Sequence, residues 1–201
     1  GGGGGGVGGG VVDEVVVATG SRPAGTGFQR RRPGVDVLAG VDAPNVFAVE
    51  DVLSGRAELG RRVVVLDDVG DWRGGGTALH LAERGHEVVI VTGHPTVGAS
   101  IQRTAGDGPL RARLAAHGVE WHTESAVTAW TSTGAEVTGL AGRTTAIGAD
   151  GLVLATTNVP DTALSNELTA AGMRHRVVGD AVAARLAVHA IYEARAMAMT
   201  I

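Results

Sequence analysis

The sequence predicts an α/β fold in which helices cover a mostly parallel β-sheet. In residues 61–92 an apolar run, a glycine-rich turn, a helical pattern and a second apolar run follow one another, which is the order of a βαβ unit. Residues 110–122 repeat the step from a helix through a glycine to a strand. Aromatic residues make up only 3% of the chain, so Val, Leu, Ile and Ala must build the core, as in parallel sheets buried on both faces.

The elements ahead of residue 61 are short. Residues 1–10 are low-complexity glycine, which cannot pack a core, and we exclude them from the fold as a disordered lead-in. The next pieces are a strand at 11–19, a Gly/Pro/Arg-rich connection at 21–45, an extended piece at 45–50 and a helix at 51–59. The connection holds three consecutive arginines, residues 30–32, which either meet a phosphate or a partner or, as we favour, lie in a solvated loop.

The βαβ unit at residues 61–92 is the centre of the predicted fold. Its apolar runs, 63–66 and 88–91, predict buried strands, and the helix between them ends at Gly85. Crossovers between parallel strands are right-handed, so the N-terminus of this helix is expected at the carboxyl edge of the sheet. Open α/β sheets bind dinucleotide phosphates at that edge.

The glycine fingerprint of a dinucleotide site is incomplete in this unit. Gly74 fits the third glycine of G-x-G-x-x-G, but the first two positions hold Val69 and Asp71. A carboxylate at the second position disfavours a pyrophosphate by its bulk and by its charge. The second strand ends in Thr92-Gly93-His94, without the acid that would hold an NAD ribose. Gly74 and Gly75 are the cofactor-binding candidates of this turn, and the sequence predicts that nicotinamide binding is weakened or lost.

The second half of the chain continues the alternation of helices and strands. Asp107 is predicted to cap a helix that turns Leu110 and Leu114 inward and ends at Gly118. The later elements are strands at 119–122, 126–131, 135–140, 144–149 and 152–156, a helix from Asp161 to about 171, a strand at 176–178 and a C-terminal helix. We interpret 126–149 as an antiparallel meander on the edge of the parallel sheet. The last helix places five apolar residues on one face, namely Leu186, Ala190, Ala194, Met197 and Ile201.

The totals exclude several classes of function. A net charge of −4 gives no reason to expect nucleic acid or a membrane surface as partner. The chain has no cysteine, which excludes disulfides, thiolate catalysis and a cysteine-ligated iron–sulfur cluster within it. It also has no lysine, which excludes a Schiff base and a P-loop lysine. No apolar stretch is long enough to span a bilayer, and we expect a cytoplasmic protein.

No residue of the chain is predicted to be catalytic or to bind a metal. Asp67-Asp68-Val69-Gly70-Asp71 matches a magnesium-diphosphate motif of isoprenoid synthases, but that chemistry needs facing helices and these residues follow a strand. The seven histidines show no ligand spacing. Trp72 lies in the glycine-rich turn and either blocks a nucleotide there, which we favour, or stacks on a base.

Several short motifs occur in a fixed order along the chain. They are Ala18-Thr19-Gly20 with Arg22-Pro23, Asp67-Asp68 followed by 82–88, Leu164-Ser165-Asn166-Glu167-Leu168, and Gly179-Asp180-Ala181-Val182-Ala183-Ala184-Arg185. This order resembles flavoproteins in which a nicotinamide-type domain is inserted into an FAD-type domain. Among them it most resembles the C-terminal part of the trimethylamine dehydrogenase, histamine dehydrogenase and 2,4-dienoyl-CoA reductase family, over residues 13–201.

The resemblance implies a Rossmann-like NAD(P)-type domain at residues 61–150, inserted in a partial FAD- or ADP-type domain made of 11–60 and 151–201. The layers would be helices, a parallel sheet and a small antiparallel meander. FAD or ADP is the implied cofactor, and its implied contacts are Gly20, Gly179, Asp180, Ala181 and Arg185. Glycine permits close backbone approach, and the Asp180 carboxylate accepts from a ribityl or ribose hydroxyl. Two alternatives stay open, since Gly179-Asp180 also suits a helix cap and Gly20 also suits a structural turn.

Members of this family carry further domains ahead of the region that this chain resembles. Those domains are an FMN-bearing (β/α)8 barrel, a cysteine cluster for 4Fe-4S and the first βαβ of the adenine-nucleotide domain. We therefore expect a fragment, a truncated paralogue or one piece of a split enzyme. The implied partners are a flavin-bearing barrel domain or subunit and an electron-transfer flavoprotein.

Three functional hypotheses follow. The chain is the nucleotide-binding part of a flavin-dependent oxidoreductase whose redox centre lies elsewhere, or an NAD(P)H-dependent flavin reductase domain, or a non-catalytic remnant domain used for assembly.

Overall fold

A computed structural model describes residues 14–200; the predicted glycine lead-in, the start of the first strand and Ile201 lie outside the described residues. The strands are β1 (Val15–Val17), β2 (Ser21–Pro23), β3 (Val46–Ala48), β4 (Arg62–Asp67), β5 (Glu87–Thr92), β6 (Glu120–His122), β7 (Ala126–Thr131), β8 (Gly134–Thr138), β9 (Thr144–Gly148), β10 (Gly151–Ala155), β11 (Asn158–Pro160) and β12 (His175–Val177). The α-helices are α1 (Val49–Leu53), α2 (Trp72–Ala82), α3 (Asp107–Ala116), α4 (Ala163–Ala170) and α5 (Ala187–Ala198). Two 3-10 helices span Ala99–Thr104 and Gly179–Ala181.

A five-stranded parallel sheet is the centre of the fold, with the strand order β3-β10-β4-β5-β6. The middle strand β4 pairs with β10 on one side and with β5 on the other, so that Val64 lies opposite both Leu152 and Val89. All of the pairings within this sheet are parallel. The predicted α/β class and the βαβ unit formed by β4, α2 and β5 are therefore confirmed.

Both faces of the parallel sheet are covered, which explains why its strands are continuous apolar runs. Alternate residues point to opposite faces. On one face Val63, Val65 and Ile90 pack in a cluster with apolar residues of α1, α2 and α3. On the other face Val64, Leu66 and their neighbours pack with apolar residues of β7, β8 and β9. The predicted three-layer arrangement is therefore confirmed.

The meander lies in a different place from the one predicted. Strands β7, β8 and β9 form their own antiparallel sheet in that order, whereas the edges of the parallel sheet are β3 and β6. The inward side chains of the meander include Val127, Trp130 and Ile147, which belong to the same cluster as Val64 and Leu66. The prediction of an edge position was wrong because covering a face buries these apolar side chains, and extending an edge would leave them in solvent.

The helices after the central turn follow the predicted pattern with one change. Leu110 and Leu114 of α3 are buried, and Gly85 has a φ of +90°, as a helix stop in the left-handed region requires. Asp107 is the first residue of α3 rather than its cap, which is Gly106. Its carboxylate instead pairs with Arg111 one turn later, at 2.9 Å.

Residues 14–22 and 158–200 form a second compact unit. In it β1 pairs in parallel with β12, and β2 pairs with β11. The alternative that Gly179-Asp180 caps the C-terminal helix is wrong, since a 3-10 turn occupies Gly179–Ala181 and α5 begins only at Ala187. The Asp180 side chain accepts a hydrogen bond from the Arg185 amide at 3.2 Å, and such bonds compete with helix formation.

The C-terminal helix packs less completely than its apolar stripe predicted. None of the residues of α5 is fully buried. Ala190, Ala194 and Met197 are partly buried on the predicted face, whereas Leu186 precedes the helix and is 72% exposed.

The compact units divide the chain after residues 22 and 157. Strands β3 and β10, which were expected with the FAD-type part, belong to the same sheet as β4. The assignment of 11–60 and 151–201 to an FAD-type domain and of 61–150 to an NAD(P)-type domain stays a prediction, because it concerns cofactors rather than compactness. No helix among residues 14–200 is long and apolar enough to cross a membrane.

Candidate functional site

The turn between β4 and α2 is the predicted dinucleotide turn, and a buried carboxylate lies at its start. Asp67 ends β4 and is fully buried. Its Oδ1 accepts a hydrogen bond from the Gly70 amide at 2.8 Å, whereas its Oδ2 is buried without a partner. Burial raises the pKa of the Asp67 carboxyl to about 6, although the Gly70 hydrogen bond opposes the rise.

A second carboxylate of the chain caps α2. Asp71 is the N-cap residue, and its Oδ1 accepts from the Arg73 amide at 2.8 Å. In a dinucleotide site the free amides at such a helix start bind phosphate oxygens. Here the Gly70 and Arg73 amides are bound by Asp67 and Asp71, so two negative charges of the chain stand where a phosphate would be bound.

The three glycines at the start of α2 lie in three different surroundings. A Cβ on Gly74 would overlap the Asp67 carboxyl group, which places α2 against the end of β4. A Cβ on Gly75 would lie 2.6 Å from Leu110 Cδ2 of α3. A Cβ on Gly76 would meet the Trp72 side chain at 3.9 Å. Close packing of helix on strand is the role of the third glycine in a dinucleotide fingerprint, and Gly74 has the position for it.

The turn is also fixed by the loop after β5. Ser100 donates from its amide to the Gly70 carbonyl at 2.8 Å and from its hydroxyl to the Val69 carbonyl at 2.6 Å. His94 Nε2 donates to the Asp68 carbonyl at 3.0 Å. These bonds stabilise the conformation of the turn in which Asp67 and Asp71 bind its amides.

The arginine run makes contacts with Asp68, just after β4, and with the start of β7. The Arg30 amide donates to Asp68 Oδ1 at 2.8 Å, and its guanidinium lies 3.6 Å from Asp68 Oδ2. Arg32 donates to the carbonyls of Val127 and Thr128, which lie near the start of β7, where this strand has a β-bulge. Arg30 and Arg31 are exposed and lie in a turn, so the interpretation of residues 30–32 as a solvated loop is confirmed for these two, whereas Arg32 is half-buried.

Trp72 is the first residue of α2 and is 55% exposed, with its ring beside Gly76 and Gly106. Its exposure leaves both of its predicted roles, blocking and stacking, as predictions. Within residues 14–200 no three His, Asp or Glu side chains are grouped so that they could hold a metal ion.

The Gly179-Asp180-Ala181 motif lies in the other compact unit and forms a bonded turn. Gly179 has a φ of +67°, a left-handed conformation that favours glycine. Asp180 Oδ2 accepts from the Ser21 hydroxyl at 3.2 Å, and the Asn158 amide donates to that hydroxyl at 3.1 Å. Ala181 is buried. The Asp180 carboxylate is thus oriented by Ser21 and by the Arg185 amide, which leaves further lone pairs for a ligand hydroxyl.

Arg185, the predicted phosphate contact, is paired within the chain. Its Nη2 bonds Oε1 of Glu193 on α5, and the Gly179 amide donates to Oε2 of the same carboxylate at 2.8 Å. The hydrogen bond from Arg185, and then that from Gly179, lower the pKa of the Glu193 carboxyl below its ordinary value. Gly20, with a φ of +82°, accepts from the Asp161 amide at 3.0 Å, as a structural turn would.

The structure thus groups Gly179, Asp180, Ala181 and Arg185 in one unit with Gly20, and places Gly74 and Gly75 in the other. Sequence reasoning missed Ser21, Asn158 and Glu193. A signal for Glu193 was present, because it lies three residues after Ala190 and four before Met197, inside the apolar stripe of α5. A charged residue in such a stripe needs a partner.

Solved structures support the same fold. The chain is 26% identical to histamine dehydrogenase from Rhizobium sp. 4-9, with a TM-score of 0.84, over 92% of this chain and 30% of that one. It is 27% identical to 6-hydroxypseudooxynicotine amine oxidase from Pseudomonas geniculata N1, also with a TM-score of 0.84, over 92% of this chain and 28% of that one. At 24% identity and a TM-score of 0.75, 2-naphthoyl-CoA reductase shares the fold over 94% of this chain and 27% of its own.

The chain therefore spans less than a third of each of these proteins, and the expected resemblance to the histamine dehydrogenase group is confirmed. A family model described as pyridine nucleotide-disulphide oxidoreductase matches residues 10–194, nearly the whole chain. Such a domain binds FAD, NAD(P) or both, so the chain is a nucleotide-binding flavoprotein domain. The chain belongs to the pyridine nucleotide-disulphide oxidoreductase family.

Proposed function

We propose that the chain is the FAD- or ADP-binding portion of a flavin-dependent oxidoreductase of the amine dehydrogenase or enoate reductase type, with the redox centre on another domain or chain. The observation that carries the proposal is the contrast between the two candidate sites. At the start of α2 the carboxylates of Asp67, which is fully buried, and of Asp71 bind the amides. In the Gly179–Arg185 turn the Asp180 carboxylate is oriented, and the carboxylate that binds Arg185, that of Glu193, is open to solvent. Similarity to a histamine dehydrogenase and to an amine oxidase supports the class of enzyme.

The side chains of the Gly179–Arg185 turn fit an adenine nucleotide or flavin in two respects. Asp180 is a hydrogen-bond acceptor for a ribose or ribityl hydroxyl, and Ser21 with the Arg185 amide keeps its carboxylate in one orientation. Arg185 is a cation for a phosphate, and the positive φ of Gly179 brings a backbone amide beside it. FAD, when bound, would supply an electron acceptor for the redox centre on the other domain or chain, while the residues of this chain bind and orient it.

Nicotinamide binding is not part of the proposal. A pyrophosphate at the start of α2 would face the carboxylates of Asp67 and Asp71, and the bonds from Ser100 and His94 oppose opening of the turn. Electrostatic repulsion in a buried position is costly because the local dielectric constant is low.

The proposed partners complete the enzyme. A flavin-bearing barrel domain or subunit would hold the redox centre, since the chain spans less than a third of the proteins it is similar to. An electron-transfer flavoprotein would accept the electrons. We propose a cytoplasmic location, with no nucleic acid and no membrane as partner.

Calorimetric titration with ADP, FAD, NADH and NADPH tests the proposal. We expect ADP and FAD to bind and the two nicotinamide nucleotides not to bind. The Asp180→Asn variant should lose at least about tenfold in ADP affinity, because a hydrogen bond to a charged group contributes about 1.5–3 kcal/mol. Asp161→Asn is the matched control, since Asp161 lies in the same unit and its carboxylate accepts a hydrogen bond from the Ala163 amide at the start of α4.

The outcomes separate the three functional hypotheses. Unchanged ADP affinity in Asp180→Asn contradicts the proposed site. Binding of NADPH with reduction of added flavin supports the flavin reductase instead. Absence of all nucleotide binding leaves the non-catalytic remnant domain.

A further inference from the structure

The carboxylate of Glu193 occupies a site that has the donors of a phosphate site. The two donors are the Gly179 amide, at 2.8 Å from Oε2, and the Arg185 guanidinium, which bonds Oε1. Each oxygen of one planar anion thus receives one donor. A backbone N–H and a guanidinium in this arrangement also suit two oxygens of a phosphate.

We infer that Glu193 is a displaceable internal occupant of an anion subsite formed by the Gly179 amide and Arg185, and that this subsite takes a phosphate of the bound nucleotide. The inference rests on the proposed function, and it adds a competitor for the ligand within the same site. Displacement of Glu193 by a phosphate would exchange one anion for another on the same donors.

The donors stay in place without Glu193. Arg185 is held at its backbone by Asp180, whose Oδ1 accepts from its amide at 3.2 Å. Its Nε donates to the Ala183 carbonyl at 3.2 Å, so the guanidinium keeps an orientation while its Nη2 changes partner. The Gly179 amide is fixed by the 3-10 turn, which lies so close to α5 that a Cβ on Gly179 would be 3.2 Å from Ala190 Cβ.

The occupant itself is held by little else and is open to solvent. The side chains of Arg185 and Glu193 are 35% and 25% exposed, so a small anion in solution reaches the pair. Ion pairs with access to solvent add little to stability because water screens them. The low pKa of the Glu193 carboxyl means that it competes as a full negative charge at neutral pH.

Titration with inorganic pyrophosphate tests the inference without any enzyme activity. In Glu193→Gln the carboxamide keeps the size of the side chain but removes its charge. We expect pyrophosphate to bind this variant at least about tenfold more tightly than the parent chain, and the further change Arg185→Gln to abolish the gain. Glu167→Gln is the matched control, because Glu167 is exposed on α4 in the same unit and its loss changes the net charge equally.

Equal pyrophosphate affinity in Glu193→Gln and the parent chain overturns the inference, and so does an equal gain in Glu167→Gln. If Glu193→Gln does not fold, amide spectra of the ¹⁵N-labelled parent chain decide instead. Pyrophosphate should then shift the signals of the Gly179 amide and of Arg185 Nε–H before others, and unmoved signals overturn the inference.

A failure of this inference differs from a failure of the proposed function. If ADP binds the parent chain but Glu193→Gln gains nothing for pyrophosphate, the function stands and the displaceable occupant does not. If Glu193→Gln gains pyrophosphate binding but neither chain binds ADP or FAD, the subsite stands and the nucleotide function does not.

Discussion

At the scale of single residues, Asp67 combines full burial with an incomplete set of hydrogen bonds. One of its oxygens accepts from Gly70 and the other has no partner. A buried carboxylate without full compensation destabilises the fold when it is charged. The raised pKa, about 6, is the expression of this cost, because the folded state keeps the proton that the unfolded chain gives up near its ordinary value of 3.8.

The pH dependence of stability follows from the sign of this shift. The contribution of Asp67 is most favourable below its unfolded pKa and is lost as the pH rises through its folded pKa of about 6. Replacement of Asp67 by Asn removes the titrating group and keeps an acceptor for the Gly70 amide. Between pH 5 and pH 7 we expect the parent chain to lose about 1 kcal/mol of unfolding free energy relative to Asp67→Asn, as measured by urea unfolding.

Asp68→Asn is the control, since Asp68 is also buried but has Arg30 as a partner. If the pH profiles of Asp67→Asn and the parent chain run parallel, the carboxyl of Asp67 does not titrate in this window.

At the scale of elements, the contact of α2 with β4 depends on one of three consecutive glycines. A methyl group on Gly74 would overlap the carboxyl group of Asp67 and push the helix from the strand. A methyl group on Gly76 would meet only the Trp72 ring at 3.9 Å and would favour the helix. In thermal or urea unfolding we expect Gly74→Ala to lose about 3 kcal/mol. For Gly76→Ala we expect a gain of about 0.5–1 kcal/mol.

The pair of substitutions has its control within one helix, since both replace glycine by alanine two residues apart. The overlap involves only side-chain atoms of Asp67, so Gly74→Ala should cost much less in an Asp67→Gly background. An equal cost in both backgrounds would mean that something other than Asp67 limits the space at Gly74.

Periodic elements of this fold could be predicted from the sequence, because their cause is local. The apolar runs of β4 and β5, the inward Leu110 and Leu114 of α3 and the stop at Gly85 all follow from spacing and from glycine chemistry. The place of the meander could not be predicted, because alternation in β7 does not say whether its apolar side covers a face or joins an edge.

Long-range polar bonds could not be predicted from the sequence either. Gln29 binds β7 like a neighbouring strand, since its side-chain amide accepts from the Val127 N–H at 2.9 Å and donates to the Val127 carbonyl at 2.8 Å. The Asp180 side chain accepts a hydrogen bond from the Arg185 amide, and α5 begins only at Ala187. No spacing rule reports the bond from Ser21 to Asp180, which spans 159 residues, so the candidate site was predicted by its motif and not by its bonds.

At the scale of the whole molecule, the two compact units differ in how much apolar surface they bury. Both hydrophobic clusters found among residues 14–200 lie within residues 23–157. In the unit made of residues 14–22 and 158–200, neither α4 nor α5 has a fully buried residue. Elements with few buried apolar contacts open with a lower free energy than core strands.

Native-state hydrogen exchange should therefore separate the two units. We expect the amides of β12 and α5 to exchange through openings of lower free energy than those of β4 and β5, because the latter lie in the central sheet.

A ligand that binds only the folded state raises its opening free energy by about 2.7 kcal/mol at a concentration 100 times its Kd. ADP at that ratio should raise the opening free energy of β12 and α5 by this amount, because the proposed contacts lie at Gly179–Arg185. The exchange rates in β4 and β5 should stay unchanged. Slower exchange in β4, β5 and the start of α2 would instead place the nucleotide on the glycine turn that Asp67 and Asp71 fill.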